Sequence, residues 1–320
     1  MKRLLPIVVA VLLPSLGWAQ AQWPAKPVRF IVSQSAGGSI DIAARALGQR
    51  LAPSLGQQFI VDNRPGANGA IAIDAAAKSA PDGHAFLLSS PGPLVINQFV
   101  SKHFTYDALR DFVPVTQVTS NSFLMAVPVN SPYKSAQDVV AAARAKPGDL
   151  KYGSTGSGNQ THLAPELFAQ ASGTRYLHVP YKGEGPALID LVSGQTDFMI
   201  STMPSLLQQV RAGKLRALAV PQRERSRAAP DVPTLAEAGI PGVEVTGWTG
   251  VMAPAGTPRP IVDRRAEEII RVLNDPEMRE FLAKGGAEPV GTRPDAFAQF
   301  IKAEITKWGS AAKAAGLKPE

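Results

Sequence analysis

Two glycine- and serine-rich segments, residues 33–41 and 153–159, carry the residue types that could bind an anion. Each follows an apolar, strand-like run and precedes a helix-like run. Such a loop directs backbone N–H groups outward at the start of a helix, where the helix dipole favours negative charge. Two of these loops in one chain predict two half-sites that close on one small anionic ligand.

The first candidate half-site begins directly after the first predicted strand. It comprises Ser35, Ala36, Gly37, Gly38 and Ser39, followed by Asp41 in the first helical turn. A tight turn without a ligand, with Ser39 as a helix N-cap, is the alternative. For Asp41 a structural role at the helix start is favoured over ligand contact, because an anion beside an anion is costly.

The second candidate half-site comprises Ser154, Thr155, Gly156, Ser157, Gly158 and Asn159, with His162 one turn into the next helix. The spacing resembles a dinucleotide fingerprint, but Thr161 stands where the third small residue belongs, so that match fails. Its amides could hold a carboxylate without a cofactor. His162 is either a ligand contact or a structural histidine, and we expect the Ser39 and Ser157 hydroxyls to contribute to binding.

Three further positions complete the candidate site. The backbone N–H groups near Gly183 precede a third predicted helix, Ser90 follows the third predicted strand, and Asp197 starts a later strand. Asp197 could fix loops by hydrogen bonding or hold a ligand hydroxyl or amine.

The residues give little support to metal binding, nucleophilic catalysis or nucleic-acid binding. The sequence has no cysteine, its four histidines form no H-E-x-x-H motif, and no G-x-S-x-G nucleophile elbow occurs. We therefore predict no metal, no cofactor and no catalytic residue. The net charge of +7 comes from scattered basic residues without interleaved aromatics, which argues against nucleic-acid binding.

The N-terminus predicts export. Lys2 and Arg3 precede a short apolar stretch, and Ala19-Gln20-Ala21 fits a signal-peptidase site. We expect residues 1–21 to be removed and the mature chain to begin at Gln22, to be located in the periplasm and not to span a membrane.

Alternating strand and helix patterns predict an α/β fold of two lobes. Strands at 28–32, 59–61 and 85–88 alternate with helices at 41–52 and 70–79, an order that implies a parallel sheet covered by helices. The pattern restarts near Met125, and helices dominate the tail after Trp248. We expect residues 22–124 and 247–320 to form one lobe and residues 125–246 the other, joined by two crossover segments.

Several motifs, in order and correctly spaced, give the chain a family resemblance from about Pro24 to Trp308. They are Gly37-Gly38-Ser39-x-Asp41-x-x-x-Arg45, Val61-x-Asn63-Arg64-Pro65-Gly66-Ala67, Pro81-Asp82-Gly83, Tyr152-Gly153-Ser154-x-Gly156-x-Gly158-x-x-x-His162, His178-Val179-Pro180-Tyr181-Lys182-Gly183, Gly194-Gln195-x-Asp197 and Pro254-Ala255-Gly256-Thr257-Pro258. In these the chain resembles the extracytoplasmic solute receptors of tripartite tricarboxylate transporters, often called Bug proteins.

The resemblance implies a periplasmic-binding-protein type II fold that captures a small aliphatic or aromatic mono- or dicarboxylate. It also implies delivery to a membrane permease of one large and one small subunit. One departure is that Gln34-Ser35-Ala36 replaces the usual aromatic-Ala-Pro, which makes this wall more polar. An exported enzyme acting on such acids, and a sensor that signals to another membrane partner, are the alternatives.

Overall fold

The computed structural model describes residues 23–102 and 105–314 as a mixed α/β protein with two sheets. The expected signal peptide, residues 1–21, lies outside the described residues. The strands of the six-stranded first sheet are β1 (Val28–Val32), β2 (Phe59–Asn63), β3 (Ala85–Ser89), β4 (Phe112–Asn121), β10 (Gly247–Pro254) and β11 (Ala287–Pro289). Those of the five-stranded second sheet are β5 (Phe123–Pro128), β6 (Lys151–Ser154), β7 (Leu177–Pro180), β8 (Phe198–Thr202) and β9 (Leu215–Ala219).

Ten α-helices cover these sheets within the described ranges. They are α1 (Ser39–Leu55), α2 (Ala70–Ala77), α3 (Asn97–Val100), α4 (Ala136–Ala145), α5 (Gln160–Ser172), α6 (Glu184–Val192), α7 (Met203–Arg211), α8 (Arg259–Leu273), α9 (Pro276–Lys284) and α10 (Pro294–Ala314).

The first sheet has the strand order β11-β4-β10-β3-β1-β2. Its strands β2, β1 and β3 are parallel, which confirms the parallel β-α-β-α-β unit predicted from the sequence. Strand β10 pairs antiparallel with both β3 and β4, and β11 pairs antiparallel with β4. The stretch that the sequence left irregular before Phe123 therefore contains β4, a ten-residue strand that lies second from one edge of the sheet.

The second sheet repeats this plan, with the order β7-β6-β8-β5-β9. Strands β7, β6 and β8 are parallel, whereas β5 pairs antiparallel with β8 and β9. Only Ser122 separates β4 in the first sheet from β5 in the second, and the chain returns to the first sheet where β10 begins at Gly247.

Apolar residues on both faces of each sheet explain why helices cover both sides. Alternate residues of β1 point to opposite faces, so Phe30 packs with Leu47 of α1 and Ile269 of α8, while Ile31 packs on the other face. In the second sheet, Phe198 packs with Phe168 of α5. Within the described ranges, none of the helices has the length and apolar character needed to cross a bilayer.

Candidate ligand-binding site

A cavity of about 80 Å³ lies where the carboxyl ends of parallel strands from both sheets converge. Ser33 and Ser90 follow β1 and β3 of the first sheet, and Thr155 and Tyr181 follow β6 and β7 of the second. Ligands of open α/β sheets bind at this end of the strands, because the connecting loops and helix N-termini gather there. The position and size of the cavity suit a small molecule held from both sides.

Hydroxyl and amide side chains supply most of the polar surface of the cavity. Its full lining is Ser33, Gln34, Ser39, Ile40, Gly66, Ala67, Asn68, Gly69, Ser90, Gly92, Pro93, Asn121, Phe123, Thr155, Asn159, Gln160, Thr161, Tyr181, Lys182, Gly183, Thr202, Gly247, Trp248 and Thr249. Among these residues Lys182, which is exposed, is the one with a formal charge. The wall therefore offers hydrogen bonds and one cation at its edge, a chemistry suited to an oxygen-rich anion.

The first glycine loop uses its amides within the protein. The N–H of Gly37 donates to Oδ2 of Asp41 (3.0 Å), and the N–H of Ser39 donates to Oε2 of Glu184 (3.0 Å). Glu184 starts α6 on the side of the second sheet, whereas Ser39 starts α1 on the side of the first. A carboxylate does lie at the start of α1, and it belongs to the protein itself.

Asp41 supports this loop from inside the first turn of α1. Burial alone raises the pKa of Asp41, but hydrogen bonds from the Arg45 guanidinium and the Gly37 amide outweigh it and hold the pKa below its usual value. The Nε of Arg45 donates to Oδ2 over 3.0 Å. The side chain is buried and does not line the cavity.

The second glycine loop is organised around Asn159, the N-cap of α5. Its Oδ1 accepts the N–H groups of Thr161 (2.9 Å) and His162 (3.3 Å), which is the usual way to satisfy the first amides of a helix. The N–H of Thr155 donates to Oγ1 of Thr161 over 2.8 Å. This bonding fixes the Thr155 and Asn159 side chains at the cavity wall.

A stack of rings lies behind the second loop. The imidazoles of His162 and His178 are 4.0 Å apart and nearly parallel, and Tyr152 stacks on His178 at 4.9 Å. The N–H of Gly158 donates to Nδ1 of His162 over 2.9 Å. Burial, with the facing His162, lowers the pKa of His178 to about 4, so this ring is neutral at neutral pH.

The pair formed by Ser154 and His178 has the residue types of a nucleophile and a base. Oγ of Ser154 lies 2.6 Å from Nε2 of His178. Ser154 is fully buried, however, and does not line the cavity, so no substrate in the cavity reaches its hydroxyl. The pair instead fixes the loop, because Ser154 Oγ also donates to the carbonyl oxygen of Gly156.

Direct hydrogen bonds join the two sides of the cavity. Nδ2 of Asn159 donates to Oδ1 of Asn68 over 2.7 Å. The N–H of Gly185 donates to Oγ of Ser35 over 2.9 Å. Together with the contact between Ser39 and Glu184, these bonds hold the two sheets close around the cavity.

The residues predicted as ligand contacts separate into two groups in the structure. Those at the cavity wall are Ser39, Ser90, Thr155, Asn159 and Gly183. Those away from it are Ser35, Ala36, Gly37, Gly38, Asp41, Ser154, Gly156, Ser157, Gly158, His162 and Asp197. Ala36 and Ser157 are exposed to solvent, and the carboxylate of Asp197 accepts the N–H of Lys151 over 2.7 Å, which fixes a strand start.

Residues that the motif analysis did not assign to the site complete the wall. Asn68 follows the Pro65-Gly66 turn in a left-handed conformation (φ 48°), which brings its amide to the cavity. Asn121 and Thr249 arrive from the paired strands β4 and β10. The Asn-Arg-Pro-Gly motif ends two residues before Asn68 and is a local sequence signal that could have identified it. No local sequence signal identifies Asn121 or Thr249, because the pairing of β4 with β10 places them at the cavity.

Two β-sheets, each covered by helices, enclose a cavity at the carboxyl ends of their parallel strands, and this is the architecture of a solute-binding receptor. Residues 43–317 match the model of the tripartite tricarboxylate transporter family receptor, and the chain belongs to this family. This match confirms the resemblance inferred from the sequence motifs. It also confirms the expectation that the protein belongs to a class of receptors and not to a class of enzymes.

Relatives and solved structures cover nearly the whole chain. Protein BugT of Bordetella pertussis is 38% identical over 297 residues, which is 92% of this chain and 91% of that protein. An R. palustris protein solved with adipate is 36% identical with a TM-score of 0.90, covering 93% of this chain and 100% of that one. MatC of Rhodopseudomonas palustris, solved with bound malate, is 31% identical with a TM-score of 0.84, covering 91% and 100%.

Proposed function

We propose that this protein is a periplasmic receptor that captures a small carboxylate in the cavity between its two sheets. The single observation that carries the proposal is the cavity itself, which is lined from both sheets by hydroxyl and amide groups and has Lys182 at its edge. Hydrogen-bond donors of this kind match carboxylate oxygens. The bound adipate and malate of the two similar structures support the same ligand class.

In this proposal, the protein captures its ligand when its two lobes close around it. The described residues up to Asn121, together with those from Gly247 onward, form one lobe around the first sheet. Residues 123–246 form the other lobe around the second sheet, so the first crossover lies at Ser122. A ligand that touches both lobes stabilises the closed form by its differential affinity for that form. Because Thr155 and Asn159 already have fixed positions, few side chains lose freedom when the ligand binds.

Delivery to a membrane partner completes the proposed role. The family description, a receptor of tripartite tricarboxylate transporters, supports delivery to a membrane transporter. We propose that the closed receptor docks on a permease of one large and one small subunit. Residues 1–21 direct export and are then removed. Signalling to a different membrane partner is the competing role, and capture of the partner with closed, ligand-loaded protein distinguishes the two.

A thermal-shift panel tests the binding step. The chain from Gln22 is unfolded, freed of bound ligand, refolded and heated with aliphatic, aromatic and amino-acid carboxylates. A saturable rise in melting temperature for one chemical class supports the proposal and names that class. A well-folded protein whose melting temperature no carboxylate changes would overturn it.

A further inference from the structure

The carboxylate of Glu184 is buried at the meeting point of the two sheets. Its side chain is fully inaccessible to solvent. Oε2 accepts the N–H of Ser39 (3.0 Å), and Oε1 accepts the hydroxyls of Ser201 (2.6 Å) and Thr202 (3.0 Å). All three partners can donate, which matches the acceptor-only chemistry of an ionised carboxylate.

Two helix N-termini face this carboxylate. Glu184 is the first residue of α6, and its Oε2 contacts the first amide of α1, a 17-residue helix. The positive ends of both helix dipoles therefore compensate its charge. Among the described residues no lysine or arginine forms an ion pair with Glu184. The two helix dipoles and the hydroxyls of Ser201 and Thr202 therefore stabilise its negative charge.

The Glu184 carboxylate lies immediately behind the cavity wall. Two of its partners, Ser39 and Thr202, line the cavity, as does the preceding residue, Gly183. A methyl group added to Gly38, the N-cap of α1, would lie 3.3 Å from Oε2. A ligand that approaches the start of α1 therefore meets a negative charge there, whereas the Lys182 edge presents a positive one.

We infer that Glu184 determines specificity by occupying the anion position at the start of α1, so that the site selects ligands with one carboxylate. This inference rests on the proposed carboxylate-binding function. A monocarboxylate places its charge towards Lys182 and its uncharged end towards α1. A dicarboxylate of the same length brings its second charge towards the Glu184 carboxylate, and two like charges near each other in a poorly solvated site repel.

The test measures dissociation constants by calorimetry for matched acid pairs of equal chain length: butyrate with succinate, and hexanoate with adipate. In the wild-type protein we expect the monocarboxylate of the tighter-binding pair to bind at least about tenfold more tightly than its dicarboxylate. Glu184→Gln keeps the shape of the side chain and removes its charge. This variant should shift the ratio towards the dicarboxylate by about tenfold.

A control variant isolates the effect of the buried charge. Glu244→Gln removes an exposed carboxylate, paired with Arg223, on the surface. It should leave the ratio of the two dissociation constants within about twofold of the wild-type value, which is less than about 0.5 kcal/mol.

The outcomes separate this inference from the proposed function. If acids bind but the wild type favours the dicarboxylate, or if Glu184→Gln leaves the ratio unchanged, the specificity role is wrong and the receptor stands. The wild-type ratio alone decides the question if Glu184→Gln does not fold. If no acid in the wider carboxylate panel binds folded wild-type protein, the receptor proposal fails, and this inference fails with it.

Discussion

Nδ2 of Asn159 donates a hydrogen bond to Oδ1 of Asn68 across the cavity, over 2.7 Å. The same Asn159 side chain caps α5 through its Oδ1, so one residue both starts a helix of the second sheet and reaches the first sheet. Asn68 in turn bonds to Asn97, which anchors it to its own side. This contact between the two sides of the cavity therefore depends on side chains that line it.

Asn68→Gly tests this contact without straining the backbone, because glycine tolerates the positive φ of 48°. Loss of one hydrogen bond between neutral groups costs about 1 kcal/mol, so we expect carboxylate affinity to fall about fivefold. Calorimetry measures the change. Ala67→Gly, at the neighbouring positive φ of 46°, is the control for added chain flexibility. An equal loss in both variants would assign the effect to flexibility instead of the Asn68 side chain.

Acid should destabilise the protein through His178. Burial and the facing His162 lower the pKa of its imidazole from 6.5 to about 4. The unfolded chain takes up this proton near its ordinary pKa, and the folded protein does so only near pH 4. The contribution of His178 is therefore fully favourable above about pH 6.5 and declines as the pH falls through this window.

His178→Gln should flatten this decline, because glutamine does not titrate but can still hydrogen-bond to Ser154. Denaturant titrations at pH values between 4 and 7 measure the free energy of unfolding, with His84→Gln as the control for a histidine outside the stack. A wild-type profile and a His178→Gln profile of equal slope would contradict the assignment.

Arg265 presents a buried guanidinium among aromatic rings. Its side chain is fully buried. The guanidinium carbon Cζ lies 4.7 Å from the ring centroid of Trp23, 4.9 Å from that of Phe59 and 5.1 Å from that of Phe86. None of its three nitrogens has a hydrogen-bond partner among the described residues. Burial lowers the pKa of Arg265 to about 9. Desolvating this charge costs more than the ring contacts return.

Arg265→Met should therefore raise the free energy of unfolding by about 1 kcal/mol, since methionine fills a similar volume without a charge. Urea titration of wild type and variant measures it. The exposed neighbour Arg264→Met serves as the control and should change stability by less than about 0.5 kcal/mol. A clear loss of stability in Arg265→Met would mean that the guanidinium interacts favourably in its aromatic surroundings.

Glu304 of α10 positions a tryptophan of the cavity wall. Its Oε2 accepts the indole N–H groups of Trp248 (2.9 Å) and Trp308 (3.0 Å). Glu304→Ala leaves both donors without this acceptor, so we expect a loss of about 2 kcal/mol or more in unfolding free energy. Glu304→Gln keeps an acceptor oxygen and should lose less. Equal stability of the two variants, measured by urea titration with tryptophan fluorescence, would argue against this role.

Local patterns were sufficient to predict most strands and helices. The apolar run Val28–Val32 forms a buried strand, as predicted, and the helix predicted over 70–79 begins at the same residue in the structure, as α2. Strand β4 was not predicted because Pro114 interrupts the strand pattern. Its pairing with β10 and β11, which is remote in the chain, stabilises it. Helix α7 was also missed, although Met203, Leu206 and Leu207 have helical spacing.

The site was harder to predict than the fold, for a physical reason. A glycine loop indicates that amides are exposed at a helix start, but it does not indicate which acceptor they meet. Glu184 lies 145 positions from Ser39 in the chain, and only the approach of the two sheets brings its carboxylate to that amide. The sequence therefore indicated the two loops, whereas the structure was needed to show which of their groups reach the cavity.

Calorimetric titration of two phenylalanine variants with the tightest-binding carboxylate tests whether the ligand binds in the cavity. Ser90 lines the cavity, whereas Ser157 of the second glycine loop is exposed to solvent. We expect Ser90→Phe to fill the cavity and abolish binding, while Ser157→Phe binds like wild type with one ligand per chain. Undiminished binding by folded Ser90→Phe would show that the ligand does not bind in this cavity.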